Sequence, residues 1–360
     1  MPYFFIGYII IWGEKMEQNL LDVLKESEKP IVLYGMGNGA DKIADRLSKE
    51  KIKISGVFAS DGFVRKKLFR GFPLSSYGEL KESFKDMIIL VCFGSNRPEV
   101  LENINRLQSE QELYVPEVPV YGNGLFTREF VYENKDRFKK IYSLLADEKS
   151  RQTFEKLIDY KISGKTQYLF DCEVSPSEPY NSFLNLTESE IFVDLGAYNG
   201  DTVKEFIFRT NGSYSAIYAA EPDIKSFKKL TFNTSDFENI HLFNACITEK
   251  SGTVSFAMGS GRGSSKGGET ETSALCVDDM LFGIKPTFIK YDVEGEEINA
   301  IRGAEKTIIA HKPKMLISAY HRNDDLLTIP EEVLKLRDDY KIYLRHFPYL
   351  PAWDTNYYFI

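Results

Sequence analysis

Apolar positions along the chain fall into short runs separated by stretches with helical spacing. In the first third, Leu20, Leu21, Val23 and Leu24 mark a short amphipathic helix over 17–26. IVLYG (31–35), KISGVFAS (53–60) and MIILVCFG (87–94) read as buried strands. ADKIADRLSKE (40–50), residues 76–84 and PEVLENINRLQ (98–108) read as the helices between them. Apolar strands alternating with helices predict a parallel sheet covered on both faces, over residues 17–120. Residues 121–186 predict a helical connector, with Asp147 placed to cap a helix and a Pro/Ser loop at 173–181.

A second alternation fills 187–360. Strands are predicted at 191–196, 216–221, 241–247, 287–295 and 314–321, with an extra one at 253–258. Helices are predicted at 202–209, 223–232, 298–309 and 331–338. Residues 259–274 are Gly/Ser-rich and read as a mobile loop, either a lid over the acceptor in which Arg262 and Lys266 could meet an acidic sugar or a merely solvated insertion. The last two alternating runs, 340–347 and 355–360, predict a hairpin whose final strand runs antiparallel.

Composition narrows the classes. The 360 residues carry a net charge of −8, which disfavours a nucleic-acid binder that must neutralise phosphates. The 26 Phe and 21 Tyr disfavour disorder. Only four cysteines, none close in sequence, disfavour a disulfide scaffold and suit a reduced, cytoplasmic enzyme. The apolar run YFFIGYIIIW (3–12) is about half of the ~20 residues a spanning helix needs, so no transmembrane segment is expected. It reads as a surface anchor, as an element packed on the body, or as part of a 1–16 leader outside the natural chain. The composition is compatible with an oligomer.

The chemistry gathers in the second unit. Asp194, Gly196, Tyr198, Gly200 and Asp201 lie between a strand and a helix, where glycines let a ligand approach the backbone. Glu221 ends the next strand and can accept hydrogen bonds from ribose hydroxyls. The G-x-x-x-G spacing and flanking acids suit a cationic sulfonium better than a pyrophosphate. Asp292, Glu294 and His321 end later strands and are candidates for removing a proton from an acceptor hydroxyl. His321 has the pKa of a general base; a structural histidine is the competing reading, and for Asp292 it is a helix cap. Asp292, His321 and Asp324 or Asp325 could alternatively hold a divalent ion, although no metal site is assigned. Lys290 and Arg322 read as surface or carboxylate-paired residues.

Residues 187–360 resemble the FkbM family of S-adenosylmethionine-dependent methyltransferases, through FVDLGAYNGDTV, AAEPDIKSFKKL, NACITEKSGTVSF, FIKYDVEGEEINAIRGAEKTI and YHRNDDL. The resemblance implies an α/β fold: a seven-stranded class I methyltransferase sheet with a reversed last strand. It implies S-adenosylmethionine near Gly196 and Gly200, Asp194 towards its amino group, Glu221 on the ribose, and Ala245 and Cys246 bordering adenine. Many members carry Glu-x-His after the fifth strand, whereas this chain keeps only His321. The first unit resembles small Rossmann-like nucleotide-sugar-binding domains of glycan-cluster sugar acetyltransferases, through IVLYGMGNGADKIADRL, GVFASDG and RGFPLSSYGELKE. Gly35, Gly37, Gly39 and Asp61 would form a second nucleotide site, although G-x-G-x-G alone is a weak signal. The expected function is O-methylation of a sugar or nucleotide-sugar intermediate of glycan biosynthesis. Rival readings are a non-catalytic nucleotide-sugar-binding or scaffolding protein, and an NAD-dependent sugar-modifying enzyme.

Overall fold

The computed structural model describes residues 16–60, 68–122, 124–257, 265–266 and 270–360. The run 3–12, Asp61 and Arg262 lie outside the described residues. Fully buried runs form β1 (Ile31–Tyr34), β2 (Gly56–Phe58) and β5 (Ile88–Val91), which with the partly exposed β3 (Leu68–Phe69), β4 (Phe72–Ser75) and β6 (Glu112–Tyr114) make the first sheet, ordered β3-β4-β2-β1-β5-β6. All its pairings are parallel except the small β3–β4 hairpin. The hydrophobic pattern did not predict β3, β4 or β6, because their short segments mix buried and exposed positions and lack the continuous apolar run that marks β1 and β5.

The connector follows as helices Arg128–Glu133, Lys135–Leu144, Glu148–Ser163 and Gln167–Cys172. Asp147 caps the third of these by accepting from Ser150 N–H at 2.8 Å. It also meets Arg345, a fully buried guanidinium that takes Asp147 Oδ2 at 2.6 Å and Glu178 Oε2 at 2.7 Å.

The second unit holds β7 (Ile191–Leu195), β8 (Ala216–Ala220), β9 (Ile240–Phe243), β10 (Cys246–Ile247), β11 (Gly252–Ala257), β12 (Ser265–Lys266), β13 (Thr270–Leu275), β14 (Phe288–Tyr291), β15 (Lys314–Ser318), β16 (Ile342–His346) and β17 (Thr355–Phe359). The main sheet is ordered β16-β17-β15-β14-β7-β8-β9, with β17 antiparallel to both neighbours. The final strand is therefore reversed, as its alternating pattern predicts. The expected single strand 241–247 is broken: β10 leaves β9 and joins a separate four-stranded sheet with β11, β12 and β13. Part of the expected loop 259–274 is strand as well, since Thr270–Leu275 pairs with β11 and β10. TETSAL places four polar residues before Ala274 and Leu275, so no apolar alternation marks this strand in the sequence.

The two units are packed together. One buried apolar cluster runs from Val32 and Tyr34 through Phe138 and Leu157 to Tyr291 and Phe359. Beyond β5, Ser95 pairs with Leu350, with N–H···O distances of 2.7 and 3.0 Å. Gly94 sits so close to Trp353 that a Cβ would fall 2.5 Å from the indole. No helix among the described residues is long and apolar enough to cross a membrane.

Candidate active site

Strand order reverses between β7 and β14, and in such sheets ligands bind outside the carboxyl ends of the strands at that point. A cavity of about 780 Å³ lies there, bordered by residues that follow β7, β8, β14 and β15. Its size is that of a small-molecule site.

The β7 exit is shaped by Gly196. Its φ is +85°, and a Cβ would lie 1.9 Å from the Asp292 carbonyl oxygen. Gly196 N–H and Ala197 N–H both donate to the Ala220 carbonyl at 3.0 Å, which holds the turn against β8. Tyr198 follows in the left-handed region at φ 46° and stays half-exposed. Asp201 opens the next helix and borders the cavity. Gly200 lies behind this wall, where a Cβ would press on Leu230 and Thr234, so it serves helix packing.

Glu221, just past β8, has one oxygen held by Tyr198 N–H and the other by Asp223 N–H, both at 2.9 Å. Burial pushes its carboxyl up to about 7, against the pull of these two donors. Ala245 and Cys246 line the far side. None of the four cysteines forms a disulfide.

Asp194 differs from its expected position. It is fully buried, pairs with Lys290 Nζ at 3.3 Å, and does not border the cavity. Its charge is spent on Lys290, so it is not the flanking acid that the sulfonium argument required. Lys290 also lies 3.6 Å from Asp292 Oδ2. Burial opposes its charge, but Asp194 and Asp292 outweigh burial and hold the ammonium above its ordinary value. Lys290 is thus the carboxylate-paired residue its surroundings suggest, although it is not on the surface.

Asp292 borders the cavity and accepts from Tyr320 O–H at 3.0 Å. Burial would raise its carboxyl, yet Lys290 and His321 draw it below its ordinary value, so it is ionised. It does not cap the following helix. No side chain caps that helix, and Glu297, its first residue, instead fixes the preceding loop by accepting from Val293 N–H at 3.0 Å.

His321 is corrected as a base. It is fully buried, does not border the cavity, and lies with Nδ1 2.9 Å from Glu297 Oε1. That contact is an ion pair without an aligned hydrogen bond. Its Nε2 lies 3.6 Å from Asp292 and 3.7 Å from Glu294. Burial disfavours the cation, but Glu297, then Asp292 and Glu294, raise its pKa to about 10. It is an imidazolium at neutral pH and has no free lone pair for a proton. Glu294, at φ 54°, borders the cavity. Among the described residues no group of three or more His, Cys, Asp or Glu has metal-holding geometry.

Sequence reasoning missed Glu297, Tyr320, Asn96 and Tyr121. Glu297 looked like one more acid in a helix's first turn, and Tyr320 like strand filling. Tyr121 lies against Gly295, is stacked by Arg322 at 4.2 Å, and donates its N–H to the His321 carbonyl at 2.8 Å. No local pattern signals such a contact between distant segments.

A seven-stranded sheet of this order, with its final strand reversed and a cavity at the β7–β14 crevice, defines a class I methyltransferase fold. Residues 194–341 match the model of the methyltransferase FkbM domain, and the protein is a methyltransferase. The methyltransferase FkbM of Methylobacillus flagellatus KT is similar across both units, with a TM-score of 0.72 and 24% identity over 96% of this chain and 94% of that one. Precorrin-6y C5,15-methyltransferase of Geobacter metallireducens GS-15 matches with a TM-score of 0.33 and 13% identity, over 49% of this chain and 81% of its own. Aeropyrum pernix fibrillarin, solved with natively bound S-adenosyl-L-methionine, matches with a TM-score of 0.31 and 14% identity, over 50% of this chain and 71% of its own. No curated protein sequence matches the chain.

Proposed function

We propose that the protein transfers a methyl group from S-adenosylmethionine to a hydroxyl oxygen of a sugar or glycan-biosynthesis intermediate. The carrying observation is Glu221, buried at the end of β8, fixed by two backbone N–H donors and facing the cavity beside the Gly196 turn. Glu221 suits ribose hydroxyls, and Ala245 and Cys246 suit the adenine edge. The described lining carries eight carboxylates against one ammonium, which fits a cationic sulfur. Bound S-adenosylmethionine supplies an electrophilic methyl on that sulfur.

Asp292 is the group that takes the acceptor's hydroxyl proton, with Tyr320 O–H fixing its carboxylate and Lys290 and His321 keeping it ionised. The carboxylate, amide and hydroxyl groups on this side suit a polyol. In the first unit, Gly39 presses on the Cys92 carbonyl, where a Cβ would lie at 2.3 Å, which supports close helix–strand packing as its role. Gly35 likewise faces Phe93, and only Gly37 has open space beside it.

Calorimetry with S-adenosylmethionine and S-adenosylhomocysteine tests the cofactor assignment. Wild-type protein binds both, and Glu221→Ala weakens each by at least about tenfold, the usual cost of a lost charged hydrogen bond. Absence of binding, or identical behaviour of the variant, would refute the reading.

A pH dependence accompanies it. Because folding raises the Glu221 pKa, the folded chain holds more protons than the unfolded one between the ordinary carboxyl value and about 7. Its contribution to stability therefore declines as pH rises through that window. The carboxylate that accepts ribose hydroxyls grows over the same range, so S-adenosylhomocysteine binds roughly tenfold more weakly at pH ~6 than at pH ~8. Glu221→Gln should flatten this dependence in the same titration.

A further inference from the structure

The cavity is not built by the second unit alone. Asn96, from the loop after β5 of the first unit, borders it. The segment Cys92–Asn96 spans two places at once. At its start, Cys92 and Phe93 pack on Gly35 and Gly39 of the first unit's glycine turn. At its end, Ser95 is fixed by two backbone hydrogen bonds to Leu350, and Gly94 is pressed on Trp353. Asn96 is thus carried to the cavity rim on a doubly anchored loop and remains solvent-facing there. Asp354, from the turn before β17, borders the same cavity. With Asp292, Glu294, Glu296 and Tyr320, the described wall away from Glu221 offers carboxylates, one phenol and one amide. Its only cation, Lys290, is already shared between Asp194 and Asp292.

We propose that Asn96 is an acceptor-recognition residue, and that the two-unit wall it completes takes an uncharged or amine-bearing polyol and turns away phosphate- and carboxylate-bearing acceptors. An amide both donates to and accepts from hydroxyls, so it reads a polyol without adding charge. A phosphate or carboxylate at this wall meets like charge and finds no free ammonium or guanidinium among the described residues to answer it. This deepens the methyltransferase reading and rests on it. It predicts that nucleotide-sugars, among the acceptors that the sequence suggested, are not methylated.

The test uses the full chain with labelled S-adenosylmethionine and four probes: methyl glucoside, glucosamine, UDP-glucose and glucuronate. Methyl gain is read by mass, and the melting temperature of the S-adenosylhomocysteine-loaded protein is read beside it. Methyl glucoside or glucosamine gains a methyl or raises the melting temperature, while UDP-glucose and glucuronate do neither. Asn96→Leu lowers the response to the active probe at least tenfold with S-adenosylhomocysteine affinity unchanged. Asn96→Lys shifts preference towards glucuronate. A response confined to the anionic probes, no response to any probe, or a leucine variant equal to wild type overturns the proposal. Failure of the wild-type protein to bind S-adenosylhomocysteine overturns instead the reading on which it rests.

Discussion

Asp292→Asn should lower methyl transfer by about 10²- to 10⁴-fold, the usual contribution of a positioned general base. S-adenosylhomocysteine affinity should stay within about threefold, because this interaction is made with the acceptor. The variant has good reason to fold. Lys290 keeps Asp194 at 3.3 Å, and His321 keeps Glu297 at 2.9 Å and Glu294 at 3.7 Å, so neither buried cation is stranded. The asparagine can still accept from Tyr320, which preserves the loop. Single-turnover rates on an acceptor found by mass screening decide the matter. A rate within a factor of about three of wild type would remove Asp292 from the proton transfer, since a general base contributes far more than that.

Gly196→Ala should cost about 2–5 kcal/mol and most of the cofactor binding. A left-handed φ costs an L-residue about 1–2 kcal/mol, and an overpacked methyl adds about 1–3 kcal/mol. The methyl has nowhere to go: its position is 1.9 Å from the Asp292 carbonyl oxygen, and backbone cannot swing aside as a side chain does. Relief requires the β7 and β14 exits to part, which would also move Asp292. Thermal melting should show a drop of roughly 3–7 °C. An unchanged melting temperature together with unchanged S-adenosylhomocysteine binding would mean that the turn is looser than its geometry implies. Gly200→Ala shares the left-handed φ of +85° and its cost but lacks the backbone clash, because its near neighbours are the side chains of Leu230 and Thr234, so it should lose less stability than Gly196→Ala.

The contrast between these glycines marks where sequence reasoning reached its limit. Both stand in the same strand-to-helix turn, and spacing alone gives them equal weight. Only the tertiary approach of β14 separates them. The parallel alternation, the reversed final strand and the place of Glu221 at a strand end beside the cavity were legible because each rests on a local period or on a position relative to a strand end. The Asp194–Lys290–Asp292 chain was not, since its members lie on neighbouring strands and register is a property of pairing: Lys290 stands opposite Asp194. His321 shows the same limit more sharply. Its residue type pointed to a base, while its three carboxylate neighbours, on a different strand exit, make it an acid held in its charged form. Residue type suggested the chemistry, but the surroundings reversed its sign.

Arg345 has a bearing on what counts as the smallest stable piece of this chain. The family match spans 194–341 and stops before β16 and β17, yet those strands complete the sheet. Arg345 on β16 is in turn neutralised by Asp147 and Glu178 from the connector. Cutting the chain at residue 187 would remove both carboxylates together with the helix Glu148–Ser163 that packs on β16, leaving this face of the sheet uncovered and the guanidinium without either ion pair. The limits of sequence likeness and the limits of autonomous folding therefore fall at different residues, and a fragment trimmed to the first would lose the two strands that close its sheet.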